Sequence, residues 1–113
     1  MGCTTHLAST SASTALAQCK ALMTDTVPYL RGQVAGSTKA SVPVVVGGDL
    51  NLKHGGLLNK AEVQDCVPAG FTRKGDGDVQ HVLFSGEWSF VGSNKFTLKN
   101  TDHVAWQVKL ASS

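Results

Sequence analysis

The first quarter of the chain changes from a short β-prone segment to a helical pattern of apolar residues. Positions 3–7 are rich in β-forming residues and predict a strand. From residue 12 to residue 23, apolar side chains recur at steps of three and four, which predicts an amphipathic helix with Ser9 or Ser11 as its N-cap. We expect Pro28 to kink or end this helix, since proline cannot donate the backbone hydrogen bond that a helix interior needs.

The rest of the chain predicts a loop, a buried strand and a strand-rich second half. Residues 32–41 hold Gly, Ser, Thr and Lys without periodicity and predict a flexible loop. The apolar run at 42–46 predicts a strand that is buried on both faces and ends at Gly47-Gly48. A short helix, two turns and three strands should follow, at 57–67, 68–70, 73–78, 79–84, 90–98 and 105–110. This order predicts one α+β domain over residues 1–113, layered as in α/β proteins, without an internal repeat.

Composition and charge exclude several classes of protein. The 113 residues include ten Lys and Arg against eight Asp and Glu, and a net charge of +2 does not indicate a nucleic-acid partner. No run reaches the roughly eighteen apolar residues of a membrane span. The N-terminal residues lack the basic and apolar segments of a signal peptide, so we expect none, and localisation stays open. Cys3, Cys19 and Cys66 are odd in number and widely spaced, which favours buried thiols over a disulfide framework.

Candidate chemistry lies at the ends of three predicted strands. Asp49 and Asn51 follow the buried strand, where an acid and an amide two residues apart would face the same way. The alternative is that they form an Asx turn that closes the strand, and the short segment alone favours this. Asp102 and His103 precede the last strand; the imidazole could serve as a general base and its neighbour could bind metal or fix the ring. His6 ends the first strand, where a hydrogen-bonded structural role is the more common one.

Two further groups of residues have open roles. Three aromatic residues are expected to pack in or beside the core rather than stack on bases: Trp88, Phe90 and Trp106. Four cations either line a rim that faces phosphate or form an ordinary solvated surface: Lys53, Lys60, Arg73 and Lys74.

Taken in order, these motifs resemble the second half of the endonuclease/exonuclease/phosphatase superfamily, which has the deoxyribonuclease-I-like fold. Gly48-Asp49-Leu50-Asn51 is similar to the family's Gly-Asp-Phe/Leu-Asn motif, and Thr101-Asp102-His103 to its Ser/Thr-Asp-His motif. Thr5-His6-Leu7 is similar to its Thr-His-Leu segment, and 79–84 to the strand between the two main motifs. The resemblance covers Cys3 to Leu110. It implies the C-terminal half of a four-layer sandwich, with one mixed β-sheet and flanking helices.

The resemblance implies a divalent-metal-dependent phosphoester hydrolase, either a phosphodiesterase or nuclease or a phosphatase. Asp49 would orient or deprotonate the attacking water and contact the metal, and Asn51 would donate a hydrogen bond to the phosphoryl oxygens. His103 would contact the scissile phosphate or act as base, with Asp102 at the metal. His6 would face the phosphate from the opposite side. The cation would be Mg²⁺, or Mn²⁺ or Ca²⁺ in its place.

The chain departs from the family pattern in two respects. Gln80 stands where many members carry an acid that orients the catalytic histidine, so Gln80 or the nearby Asp78 would orient His103. The family's first half supplies an Asn and a metal-anchoring Glu that no segment here matches. The alternative function is therefore a truncated, catalytically incompetent half that acts only by pairing with a missing first half or by forming a homodimer. The substrate stays open among nucleic acid, phospholipid and small phosphate compounds.

Overall fold

Six strands and a long helical segment form the protein in a computed structural model that describes residues 1–36, 42–99, 101 and 104–112. The strands are β1 (Gly2–His6), β2 (Val45–Asp49), β3 (Phe71–Gly75), β4 (Gln80–Ser85), β5 (Trp88–Phe96) and β6 (Ala105–Ser112). The helical elements are α1 (Ala12–Ala21), a π-helical turn (Leu22–Thr26), α2 (Val27–Ala35) and a 3-10 helix (Val63–Cys66). No helix of the described segments is both long enough and apolar enough to cross a membrane.

The main sheet is mixed and has the strand order β1-β2-β4-β3. β1 and β2 are parallel, whereas β4 is antiparallel to both β2 and β3. Parallel neighbours need a long crossover connection, and the segment with α1 and α2 supplies it. β5 and β6 form a separate antiparallel hairpin with an irregularity between Phe90 and Gly92. The mixed sheet with helices agrees with the predicted α+β class.

The core lies between the helical segment and one face of the main sheet. The residues buried there include Val46 and Leu83 from the sheet, together with Ala15, Cys19, Met23 and Val27 from the helical elements. The opposite face is more open, since Thr4 on β1 is exposed and Val45 and Gly47 on β2 are only half-buried. One face of the strand at 44–46 is therefore less covered than predicted.

The first helix continues past the proline that was expected to kink or end it. Ser11 is the N-cap, because its hydroxyl accepts the N–H of Thr14 at 3.3 Å. The N–H of Val27 donates to the carbonyl of Leu22 across the π-helical turn, and Pro28 then falls in the first turn of α2, where its missing donor costs little. Helical structure thus extends to Ala35, so the loop prediction for 32–41 is wrong at its start. Residues 37–41 lie outside the described part of the chain.

Two other boundaries differ from the prediction. β2 runs through both glycines to Asp49 and begins at Val45 rather than at residue 42, so Gly47-Gly48 does not end the strand. The helix predicted at 57–67 is reduced to the 3-10 helix at its end. The apolar residues Leu57 and Leu58 are 102% and 90% exposed, so they do not form a buried helical face.

The cysteine prediction is also corrected. Cys19 and Cys66 form a disulfide with a Cα–Cα distance of 5.7 Å and a sequence separation of 47 residues. They meet because α1 packs directly against the 3-10 helix. Cys3 is a free, half-buried thiol.

The hairpin contacts the main sheet at β3. Trp106 Nε1 donates to the carbonyl of Lys74 at 3.2 Å, and Lys74 Nζ lies 4.2 Å from the centre of the Phe90 ring. Residues 73–75 are part of β3, so the polar turn predicted at 73–78 begins later than expected. Trp106 and Phe90 pack beside the sheet, as expected for rim residues.

Candidate active site

Three strand ends bring together residues that are far apart in the sequence. His6 is the last residue of β1 and pairs in register with Asp49, the last residue of β2. Asp49 pairs in turn with Gln80, the first residue of β4. Side chains of residues paired in register point to the same face, so these three lie side by side at one end of the sheet.

Gly48 allows β1 and β2 to approach closely just before this point. Its φ of +153° favours glycine, and a Cβ there would lie 1.9 Å from the carbonyl oxygen of Thr5. Glycine is therefore required at position 48 for steric reasons, because any side chain there would push β1 away from β2. The close approach keeps His6 beside Asp49.

The two carboxylate oxygens of Asp49 have different neighbours. Oδ1 accepts the backbone N–H of Asn51 at 2.9 Å, which is an Asx turn. Oδ2 lies 3.6 Å from Nε2 of His6, whose side chain is 72% exposed against 17% for Asp49. The Asx turn favoured from the sequence is thus present, and it aims the second oxygen at the histidine.

Asn51 connects the turn to β1. Its φ is +51°, a left-handed conformation that asparagine tolerates better than most residues. Nδ2 donates to the carbonyl of Leu7 at 2.7 Å, which leaves the second amide hydrogen for another acceptor. Leu50 and Leu52 on either side are each 1% exposed, so the core fixes the segment that carries Asn51.

Gln80 contacts the segment that follows the predicted histidine. Its Nε2 donates to the carbonyl of Val104 at 2.6 Å, and Val104 follows His103 directly in the chain. Asp102 and His103 themselves lie outside the described residues. Gln80 is therefore placed to hold the backbone next to His103.

Asp78 is two residues before Gln80, a spacing that would place it on the same strand face, but β4 begins at Gln80 and Asp78 lies in the bend before the strand. Its carboxylate is 3.8 Å from Lys53 Nζ, and its side chain is 63% exposed.

A second polar cluster, which sequence reasoning did not identify, centres on Glu62. His54 Nδ1 lies 2.6 Å from Oε1 of Glu62, and the N–H groups of Gly55 and Gln64 also donate to the carboxylate. Burial acts to raise the pKa of Glu62, but these hydrogen bonds and the nearby His54 together lower it to about 2. The carboxylate thus fixes the loop that follows the Gly-Asp-Leu-Asn segment.

His81 on β4 is a buried polar residue near the site. Its Nε2 donates to the carbonyl of Leu52 at 2.7 Å, so Nδ1 is the acceptor for Arg73 Nη1 at 3.2 Å. Burial is the main cause that lowers the pKa of His81, and the charge of Arg73 acts in the same direction. The alternation of inward and outward residues along β4 is the sequence signal that identifies His81 as an inward-facing residue.

The described residues do not make a complete metal site. Within residues 1–36, 42–99, 101 and 104–112, no group of three or more His, Cys, Asp and Glu side chains could hold an ion. Asp49 is the carboxylate at the meeting strand ends. A hard cation usually needs one or two carboxylates and further oxygen ligands, so this residue alone is not sufficient.

An open groove of about 510 Å³ lies over the less covered face of the main sheet. Gly47 and Val82 form part of its floor, Trp106 of the hairpin forms one side, and Gln80 lines it towards the meeting strand ends. The groove therefore runs along the sheet to Gln80, which is paired with Asp49.

Comparison with known proteins identifies the fold. No protein-family model matches the sequence, and no curated protein matches it. Among solved structures, a mannosyl-6-phosphatase from Bacteroides thetaiotaomicron matches with a TM-score of 0.58 and 10% identity, over 96% of this chain and 49% of that one. An endonuclease/exonuclease/phosphatase family protein from the same organism matches with a TM-score of 0.54 and 12% identity, over 95% of this chain and 47% of that one. The chain therefore shares its fold with an endonuclease/exonuclease/phosphatase family protein and spans about half the length of these solved structures.

Proposed function

We propose that this protein is a divalent-metal-dependent phosphoester hydrolase of the endonuclease/exonuclease/phosphatase type. The observation that carries the proposal is the alignment of His6, Asp49 and Gln80 at one end of the sheet, in a fold shared with a phosphatase. This fold likeness covers about half of that structure, so the activity is inferred from the site and from the sequence motifs together.

Asp49 is the central residue of the proposed site. Its Oδ1 is fixed by the turn to Asn51, so the carboxylate has one orientation, and Oδ2 faces His6. A water molecule held by this carboxylate would be oriented or deprotonated for attack on phosphorus. The exposed ring of His6 and the remaining amide hydrogen of Asn51 would donate to phosphoryl oxygens as charge develops there.

His103 would contact the scissile phosphate or act as base, and Gln80 supports this role by holding the carbonyl of Val104. Asp78, which is paired with Lys53, is the weaker candidate for orienting His103.

The proposal includes Mg²⁺, with Mn²⁺ or Ca²⁺ as substitutes. Asp49 and Asp102 would each supply a carboxylate, and further ligands would come from water and substrate. When bound, such a cation polarises the phosphate and stabilises charge in the transition state. Its presence is tested by a chelator, which should stop hydrolysis of bis(p-nitrophenyl) phosphate or p-nitrophenyl phosphate until excess Mg²⁺ is added. Hydrolysis that persists unchanged in the chelator contradicts a metal-dependent mechanism.

A second candidate function is a half-domain that is active only after pairing with a first half or with another copy. The chain exposes 6859 Å², whereas area scaling gives about 5,900 Å² for a compact monomer of this mass. The difference is close to the roughly 800 Å² that each partner buries in a standard interface. Exposed apolar residues in and just after β5 would contribute to such a surface: Phe90, Val91, Phe96 and Leu98.

Analytical ultracentrifugation combined with a hydrolysis assay distinguishes the two candidates, because together they give the oligomeric state of the active form. An inactive monomer that gains activity on dimerising, or on mixing with a first half, supports the half-domain. A monomer that hydrolyses phosphoesters alone contradicts it.

A further inference from the structure

A second cavity, of about 330 Å³, lies at the turn between β3 and β4. Its walls come from the loop after Leu52 and from the ends of the two strands, and they include His54, Arg73, Gly77 and Asp78. The cavity is separate from the meeting strand ends that hold His6 and Asp49.

Two hydrogen bonds hold the guanidinium of Arg73 in this cavity. Its Nη1 donates to Nδ1 of His81 at 3.2 Å, and its Nε donates to Oε1 of Gln64 at 3.1 Å. Gly75 makes room for the first of these bonds, because a Cβ there would lie 2.6 Å from both Arg73 Nη1 and His81 Nδ1. His81 is 1% exposed and its other nitrogen is bonded to a backbone carbonyl, so the ring is a fixed support for the guanidinium.

The guanidinium nevertheless lacks a negative partner. No carboxylate of the described segments forms an ion pair with Arg73. Nη2 has no hydrogen-bond acceptor among the described residues, although a half-buried guanidinium is costly to leave unpaired. Two acids of the turn between β3 and β4 have other partners: the carboxylate of Asp78 lies 3.8 Å from Lys53 Nζ, and Asp76 accepts backbone N–H groups from 78 and 80.

Further donors lie at the turn that lines the cavity. Gly77 lines the cavity, has a φ of +93°, and its N–H has no acceptor within the described ranges. Lys95 Nζ is 3.7 Å from the position that a Cβ on Gly77 would occupy. An arginine fork, a free backbone N–H and an ammonium group together match the oxygens of a tetrahedral anion.

We propose that this cavity binds a phosphate group, with Arg73 as the main ligand and Gly77 N–H and Lys95 beside it. Asp49 is paired with Gln80 and Arg73 with Leu83, and these two β4 residues are three positions apart, so the side chains of Asp49 and Arg73 stand on opposite faces of the sheet. The cavity is therefore a phosphate site apart from the proposed catalytic residues, and phosphate binding there does not rest on the proposed function.

Titration of the protein with inorganic phosphate, followed by amide chemical shifts in NMR, tests the binding. The expected result is a saturable change at Gly75, Gly77 and His54 at constant ionic strength, which titration with chloride does not reproduce. Arg73→Gln should weaken this binding about tenfold or more, since a charge-assisted contact is lost. Lys20→Gln, which removes a cation from the exposed surface of α1, should leave it unchanged.

Lys95→Gln covers the case in which Arg73→Gln fails to fold, because Lys95 is exposed and makes no core contact. It should weaken phosphate binding while the spectrum stays folded. The proposal is overturned if phosphate produces no saturable change at these residues in the wild-type protein, or if both Arg73→Gln and Lys95→Gln bind as wild type.

Asp49→Asn should still bind inorganic phosphate in the cavity, because Asp49 stands on the other face of the sheet, so the binding result is independent of hydrolysis. Loss of saturable phosphate binding in folded Asp49→Asn would place the phosphate at the meeting strand ends instead and would overturn the proposal.

Discussion

Nε2 of His6 lies 3.6 Å from Oδ2 of Asp49, because the two residues are paired in register at the ends of neighbouring parallel strands. This strand pairing requires glycine at position 48, since a side chain there would occupy the space of the Thr5 carbonyl. The Asx turn to Asn51 then fixes the other oxygen of the carboxylate. The strand pairing and the turn together orient the proposed catalytic acid.

Gly48→Ala should destabilise the protein by more than about 2 kcal/mol, because the Cβ would meet the Thr5 carbonyl and because φ is +153°. Gly32→Ala is the matched control: it lies in α2 with nothing within 4 Å of its Cβ, and should stabilise by about 0.5–1 kcal/mol. Urea unfolding measures both. Equal free energies of unfolding for the two variants would show that Gly48 has no steric role.

Asn51 should contribute through both its backbone and its side chain. Asn51→Ala loses the hydrogen bond to the Leu7 carbonyl and places alanine at a φ of +51°, so we expect a loss of about 1.5–3 kcal/mol. Asn51→Gly loses the hydrogen bond without the backbone penalty and should be less destabilised. If Asn51→Gly is as destabilised as Asn51→Ala, the left-handed backbone conformation does not explain why asparagine is found at this position.

Removal of the disulfide should lower the free energy of unfolding by about 4 kcal/mol in the chain-entropy model, given the separation of 47 residues between Cys19 and Cys66. The measurement is urea unfolding of Cys3→Ala with and without reductant, since this background has no other thiol. Identical midpoints in both conditions would mean that the two cysteines are not bonded in solution.

The pKa of Glu62 gives a prediction about pH. Because the folded-state pKa is lowered from 4.5 to about 2, the stabilisation is fully present above pH 4.5 and is lost as the pH falls towards 2. The stability difference between wild type and Glu62→Gln should be constant above pH 4.5 and shrink below it. Asp65→Asn, an exposed acid three residues later, is the control and should show little change. A difference that grows as pH falls has the wrong sign for this account.

The sequence is sufficient to predict five of the six described strands and the first helix, whereas at 73–75 it predicts a turn where β3 lies. Alternation and helical spacing are local signals, and the short motifs around His6 and Asp49 fall at strand ends, where side chains of neighbouring strands meet. The extent of β2 was not predictable in this way. Gly47 and Gly48 normally indicate a turn, and only the close approach of β1 shows why they belong to a strand.

The remaining differences depend on contacts between distant parts of the chain. Spacing alone favours thiols for Cys19 and Cys66, since it does not reveal that α1 packs on the 3-10 helix. The helix expected at 57–67 is reduced to the 3-10 helix, for which Glu62 is the N-cap: its carboxylate accepts the N–H of Gln64 and also that of Gly55 in the preceding loop. Spacing alone does not show that β4 begins at Gln80 or that Asp78 pairs with Lys53, so both residues stay candidates for orienting His103.

The central claim is that Asp49 acts in phosphoester hydrolysis, and its most direct test is the Mg²⁺-dependent hydrolysis rate of Asp49→Ala beside His103→Ala and the surface control Asp25→Ala. We predict that the first two variants lose about 10²–10⁴-fold in rate, because each removes a group that positions or transfers a proton, whereas Asp25→Ala retains the wild-type rate. The measurement is made on whichever form is active, the chain alone or the paired form, after each variant is shown to fold. Mg²⁺-dependent hydrolysis that is unchanged in folded Asp49→Ala and His103→Ala would contradict the account.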